Sequence, residues 1–387
     1  MNDGELCAWH YATREPVNLS WQGGKITRLK ASKSQAPAGQ WLAPVLIDVQ
    51  VNGYAGIDFQ QDDLSLEDML HATRELQRAG CGQFLVTLIT DEWPRLTARL
   101  HHLRELRAQS DELKSAIAGW HIEGPFLSAE PGFHGAHDPN LMIDPAPAHI
   151  RELREITGSD CLLLTLAPER AGALEAIATA ISLEIKISLG HTNASAEILR
   201  QAVRAGATGF THFGNGCPQE LDRHDNILWR VFQTPGLTVS LIPDRIHVSP
   251  ALFRIVHRFL DRNFIYYTTD AMAAAGAAPG QYTIGKLQVE VGSDEVVRQP
   301  GRPNFAGSAL RPVDGVFRAA EMLCSTWQET WKHFCEVPAR FLGFSQRLEI
   351  GHPATFCLLE MEEEHRLRAL RVFVDGELKG ATGSKPG

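Results

Sequence analysis

The 387-residue sequence predicts an α/β protein: a (β/α)8 TIM barrel with a small β-sandwich domain built from the N- and C-terminal segments. Three observations predict it. Eight apolar, strand-like runs recur along the chain, segments with helical spacing lie between them, and polar residues capable of chemistry close several of the runs.

In order, the runs are 45–51 (VLIDVQV), 83–90 (QFLVTLIT), 116–123 (AIAGWHIE), 161–167 (CLLLTLA), 184–190 (EIKISLG), 207–212 (ATGFTH), 237–242 (LTVSLI) and 264–270 (FIYYTTD). Between them, LSLEDMLHATRELQRAG and SAEILRQAVRAG repeat apolar residues at helical spacing and end in Gly, a helix stop. The ends of the chain read differently. Residues 1–42 (as in PVNLSWQGGKITRL) and 347–387 (as in RLEIGHPATFCLLE and LRALRVFVDGELKG) hold short strands separated by turns. They are expected to pair beside a barrel spanning 43–346. No internal repeat, low-complexity tract or long linker is evident.

Composition permits an enzyme without naming one. With 44% hydrophobic residues, 21% charged and a net charge of −9, the chain is of the globular class, and nucleic acid or an anionic membrane is excluded as the main partner. Seven cysteines without CxxC spacing give neither a disulfide framework nor a thiolate metal cluster. The N-terminus lacks a long apolar stretch and no later run reaches membrane-spanning length. A cytoplasmic location is expected.

Four strand-end residues carry the chemistry: Glu123, His191, His212 and Asp270. Active sites of such barrels sit at the C-terminal ends of the strands, so these residues converge. A catalytic zinc usually takes three protein ligands and keeps one position open, with a free carboxylate nearby to move a proton. Glu123, His191 and His212 are the expected ligands and Asp270 the proton shuttle, its alternative being a cap on the following turn. His121, two residues before Glu123, is read as a packing residue on the opposite side of its strand.

The strings LIDVQVNG (46–53), HIEGPFL (121–127), LAPE (166–169), SLGHTNA (188–194), THFGNG (211–216), IHV (246–248), TTDA (268–271) and FAGSAL (305–310) carry a family resemblance. Taken in order, they are similar to N-acetylglucosamine-6-phosphate deacetylases, of the amidohydrolase superfamily. The resemblance implies a metal-dependent hydrolase that removes acetate from an amino sugar phosphate, usually as a homodimer. It matches Glu123, His191 and His212 to the family's metal ligands and Asp270 to its acid/base. His137 falls where a histidine approaches the acetyl carbonyl, His247 where one contacts substrate, and Asn215 and Gly216 where the sugar phosphate is met.

His137, like His134, lies in a Pro/Gly-rich loop, where an exposed structural histidine is the alternative. Ser308 of FAGSAL reads equally as a substrate neighbour, with Gly307, or as a helix N-cap.

Two departures stand out. Where many amidohydrolases carry His-x-His on the first strand, this chain has Gln50-Val51-Asn52. Amides are poor zinc ligands, so one divalent ion, zinc, is expected, with Gln50 and Asn52 supporting the ligands or the substrate. The stretch 215–232 lacks the family's Arg-Glu-Pro-Gly string. Arg223 and His224 are the candidate replacements at the phosphate, although Asp222 and Asp225 flank them and a surface ion pair competes. Arg245 reads as meeting an anionic substrate group or pointing outward, and Trp229 with Phe232 as a dimer face or as core. A divergent enzyme acting on an unphosphorylated N-acetyl sugar or another N-acyl compound is the second reading. A non-catalytic barrel used for binding is the third.

Overall fold

The computed structural model describes residues 2–300, 305–344, 347–363 and 366–382. Residue 1 and segments 301–304, 345–346, 364–365 and 383–387, which belong to the two expected ranges, lie outside the described residues. Eight strands pair side by side in sequence order: β1 (Leu46–Val51), β2 (Cys81–Ile89), β3 (Ile117–Glu123), β4 (Cys161–Leu166), β5 (Lys186–Leu189), β6 (Gly209–Phe210), β7 (Thr238–Leu241) and β8 (Ile265–Tyr267). All the pairings are parallel, and each strand overlaps one of the eight expected runs. Strands covered on both faces read as near-continuous apolar runs, and β1 is buried at every position.

The ring closes between its first and last strands. Just past β8, Ala271 bridges Val51 in parallel and its carbonyl accepts from Asn52 N at 2.7 Å. Deeper in the barrel, the fully buried Asp48 carboxylate accepts hydrogen bonds from the Thr268 and Thr269 hydroxyls, each at 2.5 Å.

The intervening helices are set by local chemistry. Helix Leu66–Arg78 starts in a capping box formed by Ser65 and Asp68. Helix Ala196–Ala205 is capped by Ser195 and stops at Gly206, whose φ of 115° suits glycine. No described helix is long and apolar enough to cross a membrane.

The terminal segments form one seven-stranded sheet in the order Glu377–Thr382, Arg366–Val374, Phe356–Glu363, Gln40–Pro44, Gly4–His10, Pro16–Gln22, Lys25–Ala31. The sheet is continuous but curls on itself. Its halves enclose a separate core that includes Leu19, Trp21, Ile26, Leu42 and Phe356, with Trp21 edge-on to Phe356 at 5.3 Å. A three-stranded antiparallel sheet absent from the expectations, Gly280–Ile284, Leu287–Val291 and Val297–Arg298, follows β8 and leans over the barrel mouth.

Candidate metal centre

Glu123 ends β3, and His191, His212 and Asp270 follow β5, β6 and β8 within a few residues. His191, His212 and Asp270 all have left-handed backbone, with φ of 49°, 31° and 52°. A non-glycine residue in that region costs about 1–3 kcal/mol unless its surroundings impose it, and such positions cluster at functional sites. Here the turn directs each side chain back over the barrel axis. All four line one cavity of about 480 Å³, together with Asn52, His137, Asn215, Gly216, His247 and Phe305.

One ligand atom each from Glu123, His191 and His212 lies within 4.8 Å of the others, the only such group among the described residues. Glu123 Oε1 stands 2.8 Å from His212 Nε2 and 3.4 Å from His191 Nε2. Metal–ligand lengths of about 2.0–2.2 Å place tetrahedral zinc ligands roughly 3.4 Å apart, so small side-chain adjustments admit a divalent ion. Two imidazoles and a carboxylate, all buried, are the right donor set for it.

Neighbouring groups fix the orientation of these donors. His191 Nδ1 donates to the Phe133 carbonyl at 2.8 Å, which leaves Nε2 facing Glu123. The backbones of Gly135 and Gly216 clamp its ring: a Cβ at either position would lie 2.8 or 2.9 Å from the imidazole. Gln50 Nε2 donates to Glu123 Oε2 at 3.0 Å, and His212 N donates to Ser240 Oγ at 2.6 Å. Glu169 of LAPE accepts from Thr192 Oγ1 and from Asn193 N, which holds the turn after His191.

Asp270 points at the same centre. Asn52 Nδ2 donates to its Oδ1 at 2.8 Å, while Asn52 Oδ1 is buried without a partner. Burial pushes the Asp270 carboxyl up to about 7, the Glu123 charge adds to the rise, and His212, His247 and the Asn52 bond oppose it. Burial alone would raise Glu123 as well, but hydrogen bonds from His191 and His212 outweigh it and hold this carboxyl well below the usual range. Burial and the nearby His191 lower His137 to about 3, so its imidazole is neutral, with Nδ1 against Thr90 Oγ1 at 2.9 Å and Nε2 3.8 Å from Glu123 Oε2. His247 is opposed by burial but raised by Asp244, whose Oδ2 lies 2.6 Å from its Nδ1.

Other expected residues fall elsewhere. Gln50 is buried behind Glu123 rather than on the cavity wall. Arg223 and His224 are exposed and do not line the cavity, and Asp225 pairs with Arg230 instead of Arg223. Arg245 turns outward to Glu321. Among the described residues, no lysine or arginine lines the cavity. His121 faces the barrel interior, the same side as Glu123, because alternate strand residues share a face; it meets Thr165 Oγ1 at 2.8 Å. Ser308 is not a helix cap: its hydroxyl donates to Thr269 O at 2.7 Å and its N to Asp270 O, while Gly307 lines the cavity and the next helix starts at Pro312.

Phe133 O, Thr90, Ser240 and Asp244 hold the site without having been singled out from sequence. Asp244 had a usable signal: an Asp three residues before a His, on a turn where its Oδ1 accepts from Ile246 N and His247 N.

No family model matches the chain. It is 32% identical over 332 residues to an N-acetylglucosamine-6-phosphate deacetylase of Danio rerio, covering 82% of this chain and 80% of the relative. It is 31% identical over 305 residues to an N-acetylgalactosamine-6-phosphate deacetylase of Escherichia coli O157:H7, covering 78% of each. In structure it resembles a mutant N-acetyl-D-glucosamine-6-phosphate deacetylase from Mycobacterium smegmatis in complex with N-acetyl-D-glucosamine-6-phosphate, with a TM-score of 0.87 and 27% identity over 98% of this chain and 99% of that one.

Proposed function

The chain belongs to the N-acetylglucosamine-6-phosphate deacetylase family of the amidohydrolase superfamily, and from this premise we propose that it hydrolyses N-acetylglucosamine 6-phosphate to glucosamine 6-phosphate and acetate. The observation that carries the reading is the convergence of Glu123, His191 and His212 with the separate carboxylate of Asp270 in one cavity.

Glu123, His191 and His212 would hold one divalent ion, zinc by donor type. When bound, such an ion acidifies water to a pKa of about 7 and polarises a carbonyl. Asp270 removes the proton as the water oxygen bonds to the acyl carbon. It then delivers that proton to the amine nitrogen as the C–N bond breaks, because an amine anion is too basic to leave. Asn52 holds the Asp270 carboxylate for both transfers. His137, neutral and fixed on Thr90, and His247, fixed on Asp244, stand on the cavity wall as N–H donors to the carbonyl oxygen and the sugar. Asn215 and Gly216 line the same cavity, which supports the role at the sugar phosphate that the family resemblance gives them.

Two features support the rest of the reading. Seven free cysteines fit a reducing cytoplasm. A homodimer accounts for the exposed Trp229 and Phe259, which flank Phe232.

Acetate release from N-acetylglucosamine and N-acetylgalactosamine, each with and without the 6-phosphate, tests the assignment on a metal-quantified preparation. The 6-phosphate of N-acetylglucosamine is expected to give the highest kcat/KM. Equal rates without phosphate would favour the unphosphorylated N-acyl reading, which the lack of a lining cation among the described residues supports.

A further inference from the structure

Away from the barrel mouth, helix Pro250–Phe259 and the turn before β8 border a second pocket of about 250 Å³, against the segment 323–333. Three arginines line it: Arg254, Arg258 and Arg262. The first two are four residues apart and share a helix face. None of the three forms an ion pair with a described carboxylate, on a chain whose net charge is −9. By contrast, Arg95 and Arg99 are answered by Asp62 and Asp91. Among the described residues, Glu329 is the single acid lining it.

The walls supply polar groups as well. His257 and His333 line the pocket with their rings 5.1 Å apart, His257 on the Tyr267 hydroxyl at 2.9 Å and His333 on the Ile265 carbonyl at 2.6 Å. Ser325 also lines it, and its buried hydroxyl has no partner, a donor that a rotamer turn makes available. Arg254 spends one N–H on the Met322 carbonyl and is thereby held in place.

We propose that this pocket is an anion site that binds a small phosphate-bearing ligand between Arg254, Arg258 and Arg262. Guanidinium groups present paired N–H donors that match phosphate oxygens, and three unpaired ones around a small concavity select a compact, multiply charged anion. Its position gives binding a consequence. Arg254 and Arg258 ride on the helix that starts three residues after His247, and Arg262 precedes the strand that leads to Asp270. The ligand thus ties together the two βα units that carry the substrate histidine and the proton shuttle. The inference stands apart from the substrate assignment.

The test is calorimetric titration of the metal-loaded full chain with inorganic phosphate and, separately, with glucose 6-phosphate, comparing the parent with an Arg258→Ala/Arg262→Ala double variant. Both arginines are exposed, so the variant is expected to fold and to retain its basal acetate release. The expected result is saturable phosphate-dependent binding in the parent and a dissociation constant raised at least about tenfold in the variant. The glucose 6-phosphate arm shows whether a free or an esterified phosphate is preferred, the shared chemistry being the same. Undiminished affinity in the variant would place the anion in the catalytic cavity and overturn the proposal, as would a parent that binds neither probe.

Discussion

Asn52 and Asp270, 218 residues apart, meet at 2.8 Å where the barrel closes, so the residue proposed as the proton shuttle is held from the end of the strand at the other edge of the sheet. The amide N–H favours the carboxylate form of Asp270. Replacing Asn52 with Leu therefore moves the acid limb of the kcat/KM–pH profile to higher pH, because a base must be ionised to act and rate is lost as pH falls through its pKa. Asp270→Asn keeps the metal and loses about 10²–10⁴-fold in kcat. Near-normal turnover in that variant would place the shuttle elsewhere.

Removal of the ion should abolish activity and lower the thermal midpoint, because a ligand held only by the folded chain stabilises it by mass action. Zinc, cobalt or manganese should restore both. His191→Ala and Glu123→Gln should show sub-stoichiometric metal by elemental analysis even after reconstitution.

Gly216→Ala is a steric test. Its added methyl would lie 2.9 Å from the His191 ring and sit at a φ of 61°, so both the ring and the loop must shift. Metal affinity is expected to fall by about 10–100-fold, the range typical of a disturbed supporting shell. Unchanged metal binding would show that the loop can yield without moving His191.

Asp244→Asn removes the charge that raises His247 and weakens its hold on Nδ1. The expected outcome is a higher KM with metal content intact. An imidazole NMR titration should find the His247 pKa lowered.

Asp48 gives a stability prediction. Burial pushes its carboxyl up to about 6, against the hydroxyl and amide hydrogen bonds that it accepts from Thr268 and Thr269. Between the unfolded value near 4 and pH 6, the folded state binds more protons than the unfolded one, so this group's contribution to stability falls as pH rises through that window and is flat above it. The total is on the order of 3 kcal/mol at most. Urea midpoints of parent and Asp48→Asn should diverge across pH 4–6 and run parallel above; a constant difference would show that Asp48 titrates normally.

The eight barrel strands were legible because a strand buried on both faces must be apolar along its length, and closure brings the ends of distant strands to one mouth. That is why the sequence alone groups Glu123, His191, His212 and Asp270. What escaped was interaction through backbone and shared turns. The Phe133 carbonyl under His191 has no side-chain signature, and Thr90 and Ser240 look like ordinary polar positions. His121 shares the face of Glu123, because residues two apart on a strand point the same way. The hairpin at Gly280–Val291 mixes exposed and buried residues over short strands, and its role at the cavity wall depends on the chain's return across the mouth.

The left-handed turns at His191, His212 and Asp270 make this mouth a place where durability and activity compete. At Asp270, which is not among the three candidate ligands, glycine or asparagine would relax the main chain without removing a metal ligand, so a selection for heat resistance alone should drift toward such a replacement and leave a sturdier, inert barrel. Engineering a tougher catalyst would have to leave these three turns untouched and look for its gains in the scaffold around them.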